Sequence, residues 1–211
     1  MQLIVNVKGV ESLKRKLAEL PAKLQGKAMQ MAMNKTVAKG RTEVSRAVRE
    51  EFAISAADVR NSMSIVQANR KQGNDLQARI DIFGSARKKG RSLNTIHFLE
   101  RAISMAAARK RLKKGTLFAK GRGGRMLPVL GFKFKKGGGV KNIEGAFIGN
   151  KGRTIFVRTG DKRLPIKPVQ MIGVSQMFNT KRISTRVMDK VRSELGIEME
   201  RAINEVLRRG L

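Results

Sequence analysis

The sequence predicts an α+β fold: long N- and C-terminal helices packed on a small antiparallel sheet, with a basic, loop-rich insertion at about residues 85–131. Three observations lead there. Apolar residues recur at helical spacing over 22–51 and again from Ile183 to Val206. Short alternating runs bounded by Gly, Asn and Pro lie between these helices, as half-buried strands do. Between Asp81 and Glu144 the only acidic residue is Glu100, while cations and glycines crowd the same span. The 211 residues suit a single domain carrying that insertion.

Residues 2–8 alternate, with Leu3, Val5 and Val7 on one side, and read as a strand broken by Gly9. Val10, Leu13, Leu17 and Leu20 then follow helical spacing. Pro21 either kinks that helix or opens the next as its first residue. Residues 22–51 continue helical, with Leu24, Ala28, Met31 and Ala32 as the inner stripe. Ala38, Thr42 and Ser45 form a small-residue face suited to close packing against another element or subunit. Ser55-Ala-Ala-Asp58 resembles a capping box and starts a short helix ending near Met63. Ser64–Ala68 and Leu76–Gly84 make a hairpin with one face buried and Arg70 and Lys71 at its tip.

Ile96, Leu99, Ile103 and Ala106 predict a helix from about Asn94 to Leu112, basic at its C-terminal end as the helix dipole favours. Lys120-Gly-Arg-Gly-Gly-Arg125 reads as a flexible basic loop able to order on an acidic partner. A meander follows: Gly131–Lys135 alternates, Lys136–Gly139 turns, Ala146–Ile148 is apolar, Gly149–Gly152 turns and Thr154–Arg158 is a strand. Pro165 and Pro168 then hold Leu164-Pro165 and Lys167-Pro168 extended. The apolar joint from Leu164 to Ile172 is expected to be buried beneath surrounding cations. Asn179 or Thr180 caps the last helix, which runs to about Arg209 with Gly210 beyond it. Its stripe is Ile183, Val187, Val191, Leu195, Met199, Ala202 and Val206. Ile203 and Leu207 widen that stripe, and Glu205 stands four residues before Arg209 in the stabilising order.

Composition narrows the function. Aromatics are 4% and all Phe, so the core must be built from Leu, Ile, Val, Ala and 11 Met, the last a filler of irregular gaps. Lys and Arg number 46 against 16 Asp and Glu, a net charge of +30 that calls for an acidic partner. DNA, RNA, an anionic membrane and an acidic protein surface all have the right sign. The absence of Cys excludes disulfides, thiolate nucleophiles and Cys-ligated metals. Met1–Lys8 is too short and polar for a signal peptide, and no stretch approaches the roughly 18 apolar residues of a membrane span. The expectation is a soluble intracellular product, or part of a particle assembled inside a cell, with no membrane partner.

Catalytic chemistry is not apparent. His97, the sole histidine, lies in the apolar run Ile96–Leu99 and reads as a core or rim residue. The carboxylates are scattered, and no cofactor or metal is expected. Gly121–Arg125 lacks the Gly-Lys-Ser/Thr ending of a phosphate-binding loop. The residues suited to an acidic partner or DNA are Arg109, Lys110, Arg111, Lys113, Lys114, Lys120, Arg122 and Arg125. They fit non-specific phosphate contacts, whereas no sequence-reading motif accompanies them.

One stretch says more. Arg163-Leu164-Pro165-Ile166-Lys167, followed by Gly173-Val-Ser-Gln-Met177-Phe178 and a C-terminal helix, resembles the minor tail protein Z family of long-tailed bacteriophages. The N-terminal strand and helix and Ile54–Arg60 extend the likeness. It implies a structural virion protein, not an enzyme, that completes the head-proximal end of the tail for head-tail joining. It further implies assembly in the host cytoplasm and a six-membered homo-oligomeric ring. The implied neighbours are a tail terminator, the tail tube or tape-measure protein, head-tail connector proteins and, non-specifically, phage DNA. The alternative is a non-specific nucleic-acid-binding basic protein, nucleoid-like or ribosome-associated, which accounts for the charge and leaves the 158–178 stretch unexplained.

Overall fold

The computed structural model describes residues 2–5, 15, 17–69, 76–84, 92–100, 118–120, 126–128, 130–143, 145–160 and 162–209. Two antiparallel helices dominate it, α1 (Ala22–Glu51) and α4 (Lys181–Arg209). Pro21 stands just outside α1, at the N-cap with φ −53° and ψ 142°, and its carbonyl accepts from the Leu24 and Gln25 amides. It neither kinks the helix nor supplies its first residue. Phe52, extended at φ −108° and ψ 143°, ends it. Thr180 starts α4 through its carbonyl, which accepts from the Ile183 and Ser184 amides.

The α4 stripe from Ile183 to Val206 is buried as its spacing predicts, and Ile203 joins it, whereas Leu207 points to solvent. Against it α1 sets Ala28, Ala32, Val37, Gly40, Val44 and Val48. The packing is tight at Gly40, where a Cβ would lie 3.1 Å from Val191 Cγ2 and 3.2 Å from Ile80 Cδ1. Of the small residues named from sequence, Ser45 is buried, whereas Ala38 and Thr42 remain exposed.

Beside the helix pair lies a three-stranded antiparallel sheet of β1 (Gln2–Val5), β2 (Met63–Val66) and β3 (Ala78–Ile82), in the order β1-β3-β2. Central β3 alternates as read, with Ala78, Ile80 and Ile82 buried. The short helix α2 (Ala56–Asn61) precedes β2, and Ser55 Oγ accepts from the Asp58 amide at 3.0 Å, the expected cap. The hairpin tip with Arg70 and Lys71, and residues 6–14, lie outside the described residues.

The remaining strands are short and belong to several small sheets. β4 (Ser92–Asn94) pairs with β12 (Gln170–Ile172), and β5 (Phe118–Lys120) with β6 (Met126–Pro128). β7 (Leu130–Phe132) pairs with β8 (Lys141–Ile143). β9 (Phe147–Gly149), β10 (Thr154–Arg158) and β11 (Ile166–Pro168) form a sheet with β10 central. The foreseen meander and its turn at 149–152 are present, with Asn150, Lys151 and Gly152 at positive φ. A five-residue helix, α3 (Val174–Phe178), joins β12 to α4.

Three expectations are corrected. No helix begins at Asn94: the chain is a strand to Asn94, then a 3-10 turn at Thr95–Phe98, and Leu99 bridges to Phe132. The cause is the Asn94 side chain. Its Oδ1 accepts from the Ile96 and Ile155 amides and its Nδ2 donates to the Ile155 and Val169 carbonyls, at 2.8–3.2 Å. Local capping and two tertiary partners outweigh helical spacing there. Ile103, Ala106 and the rest of 101–117 lie outside the described residues. Lys120, read as loop, is in β5 opposite Met126, and residues 121–125 are outside.

The Leu164–Ile172 joint is not buried. Leu164 is 65% exposed and Ile172 40%, and only Ile166, Val169 and Met171 are half-buried. The joint supplies an edge strand to each of two small sheets, so alternate side chains face water. Pro168 suits such an edge, where its missing amide costs no ladder bond. Glu205 also pairs with Lys35 of α1 at 3.4 Å, and the side chain of Arg209 lies outside the described residues. Within 85–131, Leu93, Thr95 and Phe98 are buried core residues.

Gly40→Leu should lower stability by about 1–3 kcal/mol by overpacking against Val191 and Ile80. Gly26→Ala, on the same helix with open space around it, should raise stability by roughly 0.5–1 kcal/mol. Urea unfolding followed by circular dichroism checks both. Asn94→Ala removes the acceptor of the Ile96 and Ile155 amides, while the Ile155 and Val169 carbonyls keep backbone donors, and should cost at least about 2 kcal/mol in the same assay.

Candidate interaction surfaces

The antiparallel helix pair decides where charge is available. Lys35 meets Glu205, Lys39 meets Glu194 at 2.6 Å and Glu198 at 2.7 Å, Glu43 and Glu50 meet Arg186, and Glu51 meets Arg182 at 3.5 Å. Lys190 and Arg201 add to Glu194 and Glu198 from their own helix. Hydrogen bonds from Lys39 and then Lys190 bring the Glu194 carboxyl down to about 2 from its ordinary 4.5. Burial pushes Glu198 upward, but Lys39 and Arg201 outweigh it and the carboxyl ends below its usual range. Lys39 is raised, first by Glu194 and then by Glu198. The carboxylates of the pair are thus spent internally, and the surplus cations face outward.

Some of that surplus converges. A cleft of about 560 Å³ runs along the outer flank of α1. Arg41, Arg46 and Arg49 of α1, Arg60 of α2 and Lys136 of the turn after β7 surround it. Between them lie Ala38, Thr42, Ser45, Ala56 and Ile65. Glu50 is the one carboxylate lining it, and the Arg186 guanidinium grips both its oxygens and holds it below its usual range. Arg41 reaches under the rim, with Nη2 donating to the Arg60 carbonyl at 3.1 Å. Its Nε is shielded from solvent and has no partner among the described residues. Sequence reasoning did not find this cleft. Residues 38, 42, 45 and 49 do share one helical face, which was the available signal, but Arg60 and Lys136 join it only through the fold.

Of the cations singled out from sequence, Arg109, Lys110, Arg111, Lys113, Lys114, Arg122 and Arg125 lie outside the described residues. Lys120 is placed by its backbone in β5. The 163–178 motif divides in two. Arg163, Leu164 and Pro165 are exposed and Ile166 is half-buried. Gly173 precedes α3, whose Met177 and Phe178 are buried in the main core. The motif therefore anchors at its C-terminal end and presents its N-terminal end to solvent.

His97 is a rim residue whose Nδ1 lies 3.1 Å from Asp58 Oδ1. That contact, then Ser55, holds the Asp58 carboxyl below its usual range against the opposing effect of burial. Among the described residues no group of three or more His, Asp or Glu is placed to hold a metal ion. No described helix is long and apolar enough to cross a membrane.

A family model described as prophage minor tail protein Z (GPZ) matches residues 7–211. No curated protein and no solved structure matches the chain.

The depressed Glu194 carboxyl predicts an acid transition. Its folded value lies below its ordinary 4.5, so its contribution is complete above about pH 4.5 and is lost as pH falls toward about 2. Thermal melting across that window should show a steeper fall for the wild type than for Glu194→Gln.

Proposed function

The chain belongs to the prophage minor tail protein Z family of structural phage tail components, and on that premise we propose that it completes the head-proximal end of the tail for head-tail joining. The family match across nearly the whole chain carries this reading. The protein works by packing and charge, as a homo-oligomeric ring of six copies formed in the host cytoplasm. Ring closure needs two different patches, because a head-to-tail contact repeats around an axis. Two apolar patches suit it: Leu164 in the exposed loop before β11, and Ile197 with Leu207 on the outer side of α4. The ring contact pairs the long helices of one protomer with the meander region of the next.

The basic insertion at 85–131 gives this domain its anionic contacts. Arg109, Lys110, Arg111, Lys113, Lys114, Lys120, Arg122 and Arg125 serve the DNA end or the tape-measure protein, and the exposed Arg163–Ile166 segment serves the ring or the connector. With net charge +30, phosphate contacts of this kind are salt-sensitive and indifferent to sequence.

Immunogold electron microscopy of tailed particles tests the placement. Label confined to the head-tail junction is the expected outcome. Particles without label, with the protein on cellular nucleic acid instead, would replace tail completion by the nucleic-acid-binding alternative.

A further inference from the structure

We infer that the arginine cleft on α1 is a docking site for an acidic, amphipathic polypeptide segment of another protein. The assignment rests on the cleft alone and not on the head-proximal placement.

Charge sets the sign of the occupant. Arg41, Arg46, Arg49, Arg60 and Lys136 surround the cleft, and its one carboxylate, Glu50, is already held by Arg186. No carboxylate among the described residues lies within ion-pair distance of Arg49 or Arg60. The planar guanidinium fork is made for oxyanions, and four of the five cations carry it. The unpartnered Arg41 Nε is one further donor shielded within the protein.

The floor sets the class. Between the charged groups it consists of small and apolar residues, Ala38, Thr42, Ser45, Ala56 and Ile65, and the Thr42 hydroxyl is turned back onto the Ala38 carbonyl. Such a floor leaves room for a backbone to approach α1 and offers it apolar contact. A nucleic-acid backbone has phosphates for the rim but no projecting aliphatic side chain for the space between the cations. No Phe lines the cleft to stack an unpaired base. A polypeptide with carboxylates along one side and aliphatic groups along the other uses rim and floor together, the helix- or strand-in-groove arrangement of peptide recognition. A second copy of this chain is a poor occupant. Most carboxylates of its helix pair are engaged by Lys35, Lys39, Arg182 and Arg186, and Asp189 pairs with Arg192 of its own helix.

Fluorescence anisotropy on the full-length protein tests this with two labelled probes, a peptide of alternating glutamate and leucine and a short DNA duplex. Two variants separate rim from floor. Arg49→Glu with Arg60→Glu reverses the rim, and Thr42→Phe fills the floor at unchanged charge. Each should weaken the peptide by about tenfold or more, while Thr42→Phe should change duplex binding by less than about twofold. Arg49→Gln with Arg60→Gln replaces the reversal if melting shows that the reversal unfolds the protein. Failure of the wild type to bind the peptide overturns the inference. So does loss in only one of the two variants, or a fall in duplex binding that matches the fall in peptide binding in both.

Discussion

Helices α1 and α4 pack tightly where Gly40 has no side chain, and three layers meet there. Val191 of α4 comes from one side and Ile80 of central strand β3 from the other. Glycine inside a helix costs roughly 0.5–1 kcal/mol relative to alanine. Here that cost lets two helices and a sheet close on one point and share a core extending from Leu3 to Leu195. A second core, from Leu17 to Val206, continues along the other half of the helix pair. The short strands hang from this frame, and a third, smaller core forms around Phe132, Ala146 and Ile155.

The same antiparallel pairing distributes the charge. A chain with 46 basic and 16 acidic residues has few carboxylates to spend, and the structure spends many of them between α1 and α4. Exposed pairs of this kind contribute little singly. Their larger consequence is what they leave behind. With Glu43, Glu50 and Glu51 turned toward Arg182 and Arg186, the outer flank of α1 is left to Arg41, Arg46 and Arg49. A structural tail component works by contacts with its neighbours, and this concave surface keeps a basic surplus even with Arg46 paired to Glu43 at 3.8 Å.

Asn94 shows how one polar side chain can overrule a pattern. Its two acceptor and two donor contacts tie β4, the 3-10 turn, β10 and Val169 together, and all four are satisfied within the fold. The 163–178 segment shows the complementary case. Its prolines and apolar residues suggested a buried joint, yet Leu164 projects into solvent while Met177 and Phe178, a few residues on, are core. An apolar residue held outward on an edge of a well-anchored segment is suited to a partner's surface.

The two long helices were legible in the sequence because helical spacing is a local property: Ala22–Glu51, and the stripe from Ile183 to Val206, follow from period alone. The Ser55 cap and the alternating β3 strand were legible for the same reason. Family resemblance was legible in a short run of residues around Pro165. What the sequence could not decide was anything that depends on distant residues meeting. The burial of an apolar residue on a short strand depends on which sheet edge it occupies, so the exposure of Leu164 was hidden. The turn at Thr95–Phe98 depends on Ile155 and Val169 arriving beside Asn94. The α1 cleft depends on Arg60 and Lys136 being carried to a helical face that shows, in sequence, only small residues and arginines. Local periodicity determined the helices and net charge the sign of the partner, and only tertiary packing, which brings together charges far apart in the chain, decided where that partner finds a concave surface.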